Sequence, residues 1–294
     1  MKSGFIAIVG RPNVGKSTLI NSLVGNKIAI VTNKPQTTRN NIQGIYNDSD
    51  TQIIFIDTPG IHKPKYKLGD FLNKQAYASL SDVDAVLFLV DGKEPLGKGD
   101  NFVLDRIKAI NKPIILIINK IDKLKKEDII TKINEYKDLH DFEAIIPISA
   151  LKEDNVQEVI KVIKPLLTDT IKYYEDNQIT NKRETFQIAE IIREKVFNLT
   201  NEEVPHALTV VVENIETNKT NYVINASIIV DRDSLKKIIV GHNGSKIKEI
   251  GILAREDLEK MLGRKVYLDL FVKTIKKWRD KEKYLSEFGF ADFE

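Results

Sequence analysis

Gly10, Arg11, Pro12, Asn13, Val14, Gly15, Lys16 and Ser17 form the pattern GxxxxGKS, whose spacing suits a loop wrapped around a polyphosphate. Glycines let the main chain approach phosphate oxygens, so that successive N–H groups and the N-terminus of a following helix meet the negative charge. Lys16 would then reach the β- and γ-phosphates, and the Ser17 hydroxyl would ligate Mg2+. Asp57, Thr58, Pro59 and Gly60 follow the apolar run 53–56. That places Asp57 at the carboxyl end of a strand, where open α/β sheets bind ligands, and it would hold the same magnesium through water. Gly60 lets the chain swing so that its N–H meets a γ-phosphate, giving a segment that orders with triphosphate and loosens after hydrolysis. Asn119, Lys120, Ile121 and Asp122 close a further apolar run, 114–118. The Asp122 carboxylate can accept two hydrogen bonds from guanine N1 and N2, which adenine cannot offer. At about 1.5–3 kcal/mol each, they favour guanine by roughly 10²–10⁴-fold. Ser149 and Ala150, after the last run, would complete the base pocket. The expected ligands are GTP and GDP with Mg2+.

A second constellation lies near the other end of the chain. Gly241, His242, Asn243 and Gly244 form GxxG between two helical patterns, with Lys246, Lys248, Arg264 and Lys265 beside it. Such a tetrad serves either as a plain turn using the positive φ of glycine or as a close approach to a nucleic-acid backbone. The neighbouring lysines favour the second use.

The elements that must position these residues follow from periodicity. Short strand-like runs at 5–9, 42–46, 52–56, 83–90, 113–118 and 144–148 alternate with amphipathic helical segments at 68–80, 102–110, 127–136 and 156–167. This rhythm predicts an α/β fold with a doubly wound, mostly parallel sheet over residues 1–170. Polarity rises over 171–184, which reads as a linker. From 185 to 294 the order is a helix (185–197), two strands (206–214 and 222–230) joined through polar 215–221 as a hairpin, a short helix (234–240), the tetrad, a helix (245–262), a strand (265–271) and a charged terminal helix from about Thr274. That order predicts a separate α+β domain.

Composition sets bounds on both halves. The 294 residues are 42% apolar and 30% charged, ordinary for a globular chain long enough for two cores. Cysteine is absent, which excludes disulfides, thiolate metal sites and cysteine nucleophiles. The four histidines, His62, His140, His206 and His242, lie far apart, so no structural zinc site is expected. No apolar run approaches the roughly 18 residues a membrane span needs, and 5–9 reads as a strand, so neither a transmembrane helix nor export is expected. The net charge is +3, but 232–283 alone carries 15 Lys and Arg against 8 Asp and Glu. The rest of the chain is therefore net acidic, and basic charge gathers in the C-terminal domain.

The ordered phosphate, Asp-x-x-Gly, Asn-Lys-x-Asp and Ser-Ala motifs resemble the TRAFAC class of P-loop GTPases. That class implies a switch threonine between the first helix and the second strand. Gln36-Thr37-Thr38-Arg39 offers two; Thr38 is preferred as a magnesium ligand and Thr37 is the alternative. With Lys16 and Gly60, Thr38 makes up the expected catalytic set. Ile61 departs from Ras-like members, where a glutamine there orients the attacking water, so slow intrinsic hydrolysis is expected, with His62 a weaker candidate base. Asn13 resembles the asparagine by which some relatives seat a potassium ion, and equally fits a turn residue.

The element order around GxxG resembles a type II KH domain, whose glycine loop binds the backbone of about four nucleotides beside an apolar groove. Ile238, Ile239, Ile247 and Ile250 are the groove candidates. The 35–39 segment, Arg193-Glu194-Lys195, Val204-Pro205-His206 and Ile239-Val240-Gly241 extend the resemblance to the Era family of bacterial GTPases. It implies binding of 16S rRNA near its 3′ end, assistance to 30S subunit assembly, a monomer, and cytoplasmic location with peripheral attachment to the membrane. The terminal run Lys273, Lys276, Lys277, Arg279, Lys281 and Lys283 could serve RNA or an anionic membrane, or simply be solvated around a docked Trp278. Two other readings stand beside this: a switch whose C-terminal domain binds a protein, and a nucleotide kinase or ATPase, which Asp122 disfavours.

Overall fold

A computed structural model of the chain describes residues 1–32, 41–57, 67–69, 80, 82–200, 204 and 207–290. Among them, 1–57 and 80–181 form one compact unit, and 182–290 with 67–69 form another.

In the first unit the apolar runs become β1 (Lys2–Gly10), β2 (Ile42–Asn47), β3 (Thr51–Asp57), β4 (Ala85–Asp91), β5 (Ile114–Asn119) and β6 (Ala144–Pro147). They make one sheet in the order β2-β3-β1-β4-β5-β6, parallel except for β2. Strands β3 to β5 are covered on both faces, which is why they read as continuous apolar runs instead of alternating ones. The helices are α1 (Lys16–Val24), α2 (Lys98–Lys108), α3 (Lys126–Tyr136) and α4 (Val156–Ile163). Val103, Leu104 and Ile107 of α2 and Tyr136 of α3 pack in one core with Val86, Phe88, Leu116 and Ile118. The pairings Ile8 with Asp57, Gly10 with Leu89 and Asp91 with Asn119 bring Gly10, Asp57, Asp91 and Asn119 to the carboxyl edge of the sheet. This edge is where a doubly wound sheet binds its ligand.

The segment 171–181, read from sequence as linker, is built into this unit. Its main chain follows the outer edge of β2: the Ile45 N–H donates to Ile179 O at 2.9 Å, Gly44 bridges Thr180, and the Gln43 N–H donates to Asn181 Oδ1 at 3.1 Å. Its polar residues pair an edge strand that would otherwise be open.

The second unit contains α5 (Glu184–Leu199), β7 (Leu208–Thr217), β8 (Asn221–Val230), α6 (Asp233–Val240), α7 (Ser245–Leu262), β9 (Lys265–Thr274) and α8 (Glu282–Glu287). Strands β7 and β8 are antiparallel, and β9 runs parallel to β8. The hairpin ladder extends through Ile215 to Thr217, which the sequence reading gave to the turn. Ile224, Ala226 and Ile228 of β8 face Ile192, Val196, Ile239, Ile250 and Leu258 in one core.

The charged terminal helix expected from Thr274 does not form as one element. Alternating inward Val266, Leu268, Leu270 and Val272 carry β9 on to Thr274, and a helical turn at Trp278–Asp280 and α8 follow. Trp278 is fully buried, its indole N–H donating to Ala207 O at 3.2 Å. Lys273 pairs with Glu213 and Arg279 with Asp231, while Lys276, Lys277, Lys281 and Lys283 are exposed. No helix among the described residues is long and apolar enough to cross a membrane.

Candidate nucleotide site and nucleic-acid interface

The phosphate loop leaves β1 at Gly10 and enters α1 at Lys16. Gly10 sits so close to β4 that a Cβ would lie 2.4 Å from Leu89 O. Gly15 has φ 104° and space for no Cβ, which would meet Asn119 Nδ2 at 2.2 Å. Lys16 is buried, and its ammonium donates to Gly10 O at 3.1 Å and Arg11 O at 3.2 Å, closing the loop on itself. Burial lowers its pKa below the ordinary lysine value, and the Asp57 carboxylate opposes that shift. The Ser17 hydroxyl donates to Asp57 Oδ2 at 3.1 Å. A hydroxyl and a carboxylate held together are hard oxygen donors, and they fit Mg2+, which takes one or two protein oxygens and fills its shell from phosphates and water.

The base-side motif is tied into the same loop. The Asn119 amide donates to Val14 O at 2.9 Å and accepts from the Ala150 N–H at 3.0 Å, linking phosphate loop, β5 and the Ser149–Ala150 turn through one buried side chain. Lys120, at φ 69°, stretches its ammonium to Asn13 O at 2.7 Å. The Ser149 hydroxyl donates to Asp122 Oδ1 at 2.6 Å and orients an exposed carboxylate. Asn13 holds left-handed backbone at φ 66°, which the turn reading of this residue accounts for. Arg11 points to α2, where its guanidinium meets Asp100 at 3.0 Å. Pro12 and Ile121 are half-buried parts of the same loops. Thr37, Thr38, Thr58, Pro59, Gly60, Ile61 and His62 lie outside the described residues.

Two acidic residues here escaped the sequence reading. Asp91, ending β4, accepts from Lys120 Nζ at 2.6 Å and from the Lys93 N–H at 3.0 Å. Asp100 accepts from both Arg11 and the Gly97 N–H. Neither belongs to a motif, because each is brought to the loop by strand register and helix placement.

In the second unit the tetrad forms a tight turn between α6 and α7. Gly241 (φ 73°), Asn243 (φ 50°) and Gly244 (φ 75°) all have positive φ. A Cβ on Gly241 would meet Lys246 at 2.7 Å, whereas one on Gly244 would project into open space. His242 and Lys248 are exposed and Lys246 half-buried. Beside the tetrad a groove of about 330 Å³ runs between α7 and β9, lined by Ile247, Lys248, Gly251, Ile252, Arg255, Tyr267 and Leu268 among others. Of the four isoleucines expected there, Ile247 lines the groove. Ile239 and Ile250 are fully buried in the core, and Ile238 is exposed but is not among the lining residues. The helical stripe carried both core and groove residues, and periodicity alone does not separate them.

Residues 5–120 match the family of 50S ribosome-binding GTPases, and residues 203–279 match the KH domain family. Over 99% of its length the chain superposes on all of a structure of Era in complex with MgGDPNP and nucleotides 1506–1542 of 16S ribosomal RNA, at 42% identity and a TM-score of 0.95. The chain belongs to the Era family. A Tyr-to-Ala variant of Aquifex aeolicus Era bound to GDP and aluminium fluoride matches equally, at 42% identity, a TM-score of 0.95 and the same coverage. As a member of the Era family this chain is a GTPase with a C-terminal KH domain.

Proposed function

We propose that the chain is a GTP-hydrolysing switch that binds single-stranded 16S rRNA near its 3′ end and assists assembly of the 30S subunit. The observation that carries this is the joint presence of a phosphate loop tied to a guanine-type base loop through Asn119 and Ser149–Asp122 and of an open Gly244 beside an apolar, lysine-edged groove. Both Era structures resembled by the chain hold guanine nucleotide, and one holds 16S RNA.

On this reading the loop N–H groups and Lys16 hold the β- and γ-phosphates, with the Lys16 ammonium exchanging its two carbonyl partners for phosphate oxygens. Asp122 reads guanine while Asn119 and Lys120 keep its loop against the phosphate loop. Ser17, Asp57 and Thr38 hold Mg2+, which when bound neutralises charge on the phosphates. Gly60 supplies an N–H to the γ-phosphate. Asn13 seats a potassium ion; hydrolysis should then run faster in potassium than in sodium at equal ionic strength, Asn13→Ala should erase the difference, and equal rates in the parent would remove the ion from the account. The exposed lysines after β9 support peripheral contact of a cytoplasmic monomer with an anionic membrane surface.

The RNA reading is tested at Gly244. Gly244→Asp sets a Cβ and a negative charge where a phosphate would approach, so affinity for a 16S 3′-end oligonucleotide should fall sharply with GTP binding unchanged. If tetrad and lysines neutralise about four phosphates, the log–log salt slope of the parent should be near −3, at about −0.7 per contact. Unchanged affinity in Gly244→Asp would make the tetrad a turn only and favour a protein partner for this domain.

A further inference from the structure

We propose that Asp100 is a positioning residue for the nucleotide reaction: through Arg11 it anchors the near half of the phosphate loop, residues 10–12, to α2. The inference rests on the phosphate-loop reading and adds to it a residue that belongs to none of the nucleotide motifs.

The two halves of the loop are held differently. In the far half, Asn13 O accepts from the Lys120 ammonium and Val14 O from the Asn119 amide, so the base motif itself fixes this stretch. A trans peptide sets its N–H opposite its C=O, and these two bonds therefore turn the N–H groups of Val14 and Gly15 away from the base motif. The near half leaves the sheet at Gly10, and Pro12 brings no N–H to it. Here Arg11 reaches across to another element, its Nη1 meeting Asp100 Oδ2 at 3.0 Å. The Arg11 carbonyl takes the Lys16 ammonium at 3.2 Å, so holding Arg11 also holds one partner of the phosphate lysine.

Helix α2 is built to carry this anchor. Asp100, Val103, Leu104 and Ile107 share its buried face by helical spacing, and the three apolar side chains seat that face in the core of the sheet. The carboxylate is thus carried on a packed element and is 3% exposed. Burial of a carboxylate is costly unless it is paired and hydrogen-bonded, and Oδ2 takes both the guanidinium and the Gly97 N–H, the latter at 3.1 Å. Glycine makes room for the arginine. A Cβ on Gly99 would stand 3.0 Å from Arg11 Nε and 3.1 Å from its Cδ, and one on Gly97 would stand 3.8 Å from Nη1. Arg11 therefore lies along the first turn of α2, which accounts for a glycine at 99 where helix propensity favours almost any other residue. Partnered in this way, the guanidinium serves as a strut between loop and helix, and Lys16 remains the cation for the phosphates.

The test measures the Kd of the full-length chain for fluorescent GDP and for a non-hydrolysable GTP analogue with Mg2+, beside the thermal midpoint without nucleotide. Asp100→Asn keeps an oxygen for the Gly97 N–H and removes the charge facing Arg11. It should raise both Kd values by the same factor, about tenfold, the order set by one hydrogen bond between charged groups. Arg11→Met should do the same, and the double variant should lose no more than either single one. Gly99→Val distinguishes anchoring from helix capping: it improves helix propensity but puts two methyl groups where Arg11 lies, so the midpoint should not fall while both Kd values rise. Parental Kd values in Asp100→Asn, additive losses in the double variant, or a lowered midpoint with parental Kd values in Gly99→Val overturn the anchor. Lys16→Ala separates the two levels. If it binds GDP like the parent, the phosphate-loop reading itself fails, whereas if it is weak and Asp100→Asn is parental, only the anchor does.

Discussion

At the scale of single residues, Asp91 shows how a site is held by groups outside its motifs. Both of its carboxylate oxygens are used, one by the Lys93 N–H and one by the Lys120 ammonium, so the lysine is fixed across the loop at Asn13 O. Removing the carboxylate leaves Lys120 one partner fewer and should loosen the base loop. Asp91→Ala is expected to raise the Kd for GDP roughly fivefold, about 1 kcal/mol, as for loss of a partly buried charged hydrogen bond. The effect should vanish in a Lys120→Ala background, and additive losses in that double-mutant cycle would show that Asp91 acts elsewhere. The motif residues themselves were legible because phosphate and guanine demand fixed residue types at fixed spacing. Asp91 was not, since the register of β4 with β5 brings it to Asn119 from 28 positions away in sequence.

At the scale of elements, the segment 171–181, a strap along the outer edge of β2, is where polarity misled. Gln52, fully buried on β3, donates to Asn47 Oδ1 at 2.8 Å and to Tyr174 O at 2.9 Å, and accepts from the Tyr173 and Tyr174 N–H groups at 2.8 and 3.0 Å. One amide side chain thus satisfies three main-chain groups of the strap. Gln52→Leu keeps the volume and strands those groups, at about 1–3 kcal/mol for each left without a partner. The unfolding free energy should drop by about 2–4 kcal/mol, less than the sum because water reaches the strap. Hydrogen exchange at Tyr173 and Tyr174 should accelerate, and parental exchange rates at both would refute the clamp. The sequence offers a polar stretch without period here, and composition does not tell a solvated linker from a strand-like segment whose polar groups are spent on an edge. By contrast, the runs that became β3, β4 and β5 were legible within a residue or two, since burial on both faces makes 53–56, 85–90 and 114–118 continuously apolar.

At the scale of the whole molecule, each of the two units carries its own core. On the proposed function they act as one switch, in which guanine nucleotide bound by the first unit would change the affinity of the second for RNA. Linkage sets the size of such an effect, typically a 5–150-fold change in affinity, and requires that RNA alter nucleotide affinity by the same factor. The direct measurement is the Kd of the full-length chain for a 16S 3′-end oligonucleotide, taken at one salt concentration with Mg2+ and either a non-hydrolysable GTP analogue or GDP. The account predicts affinities that differ at least about fivefold between the two states, with Gly244→Asp weak in both. Equal affinity in both nucleotide states would contradict it, leaving a GTPase and an RNA-binding domain that share a chain without sharing a switch.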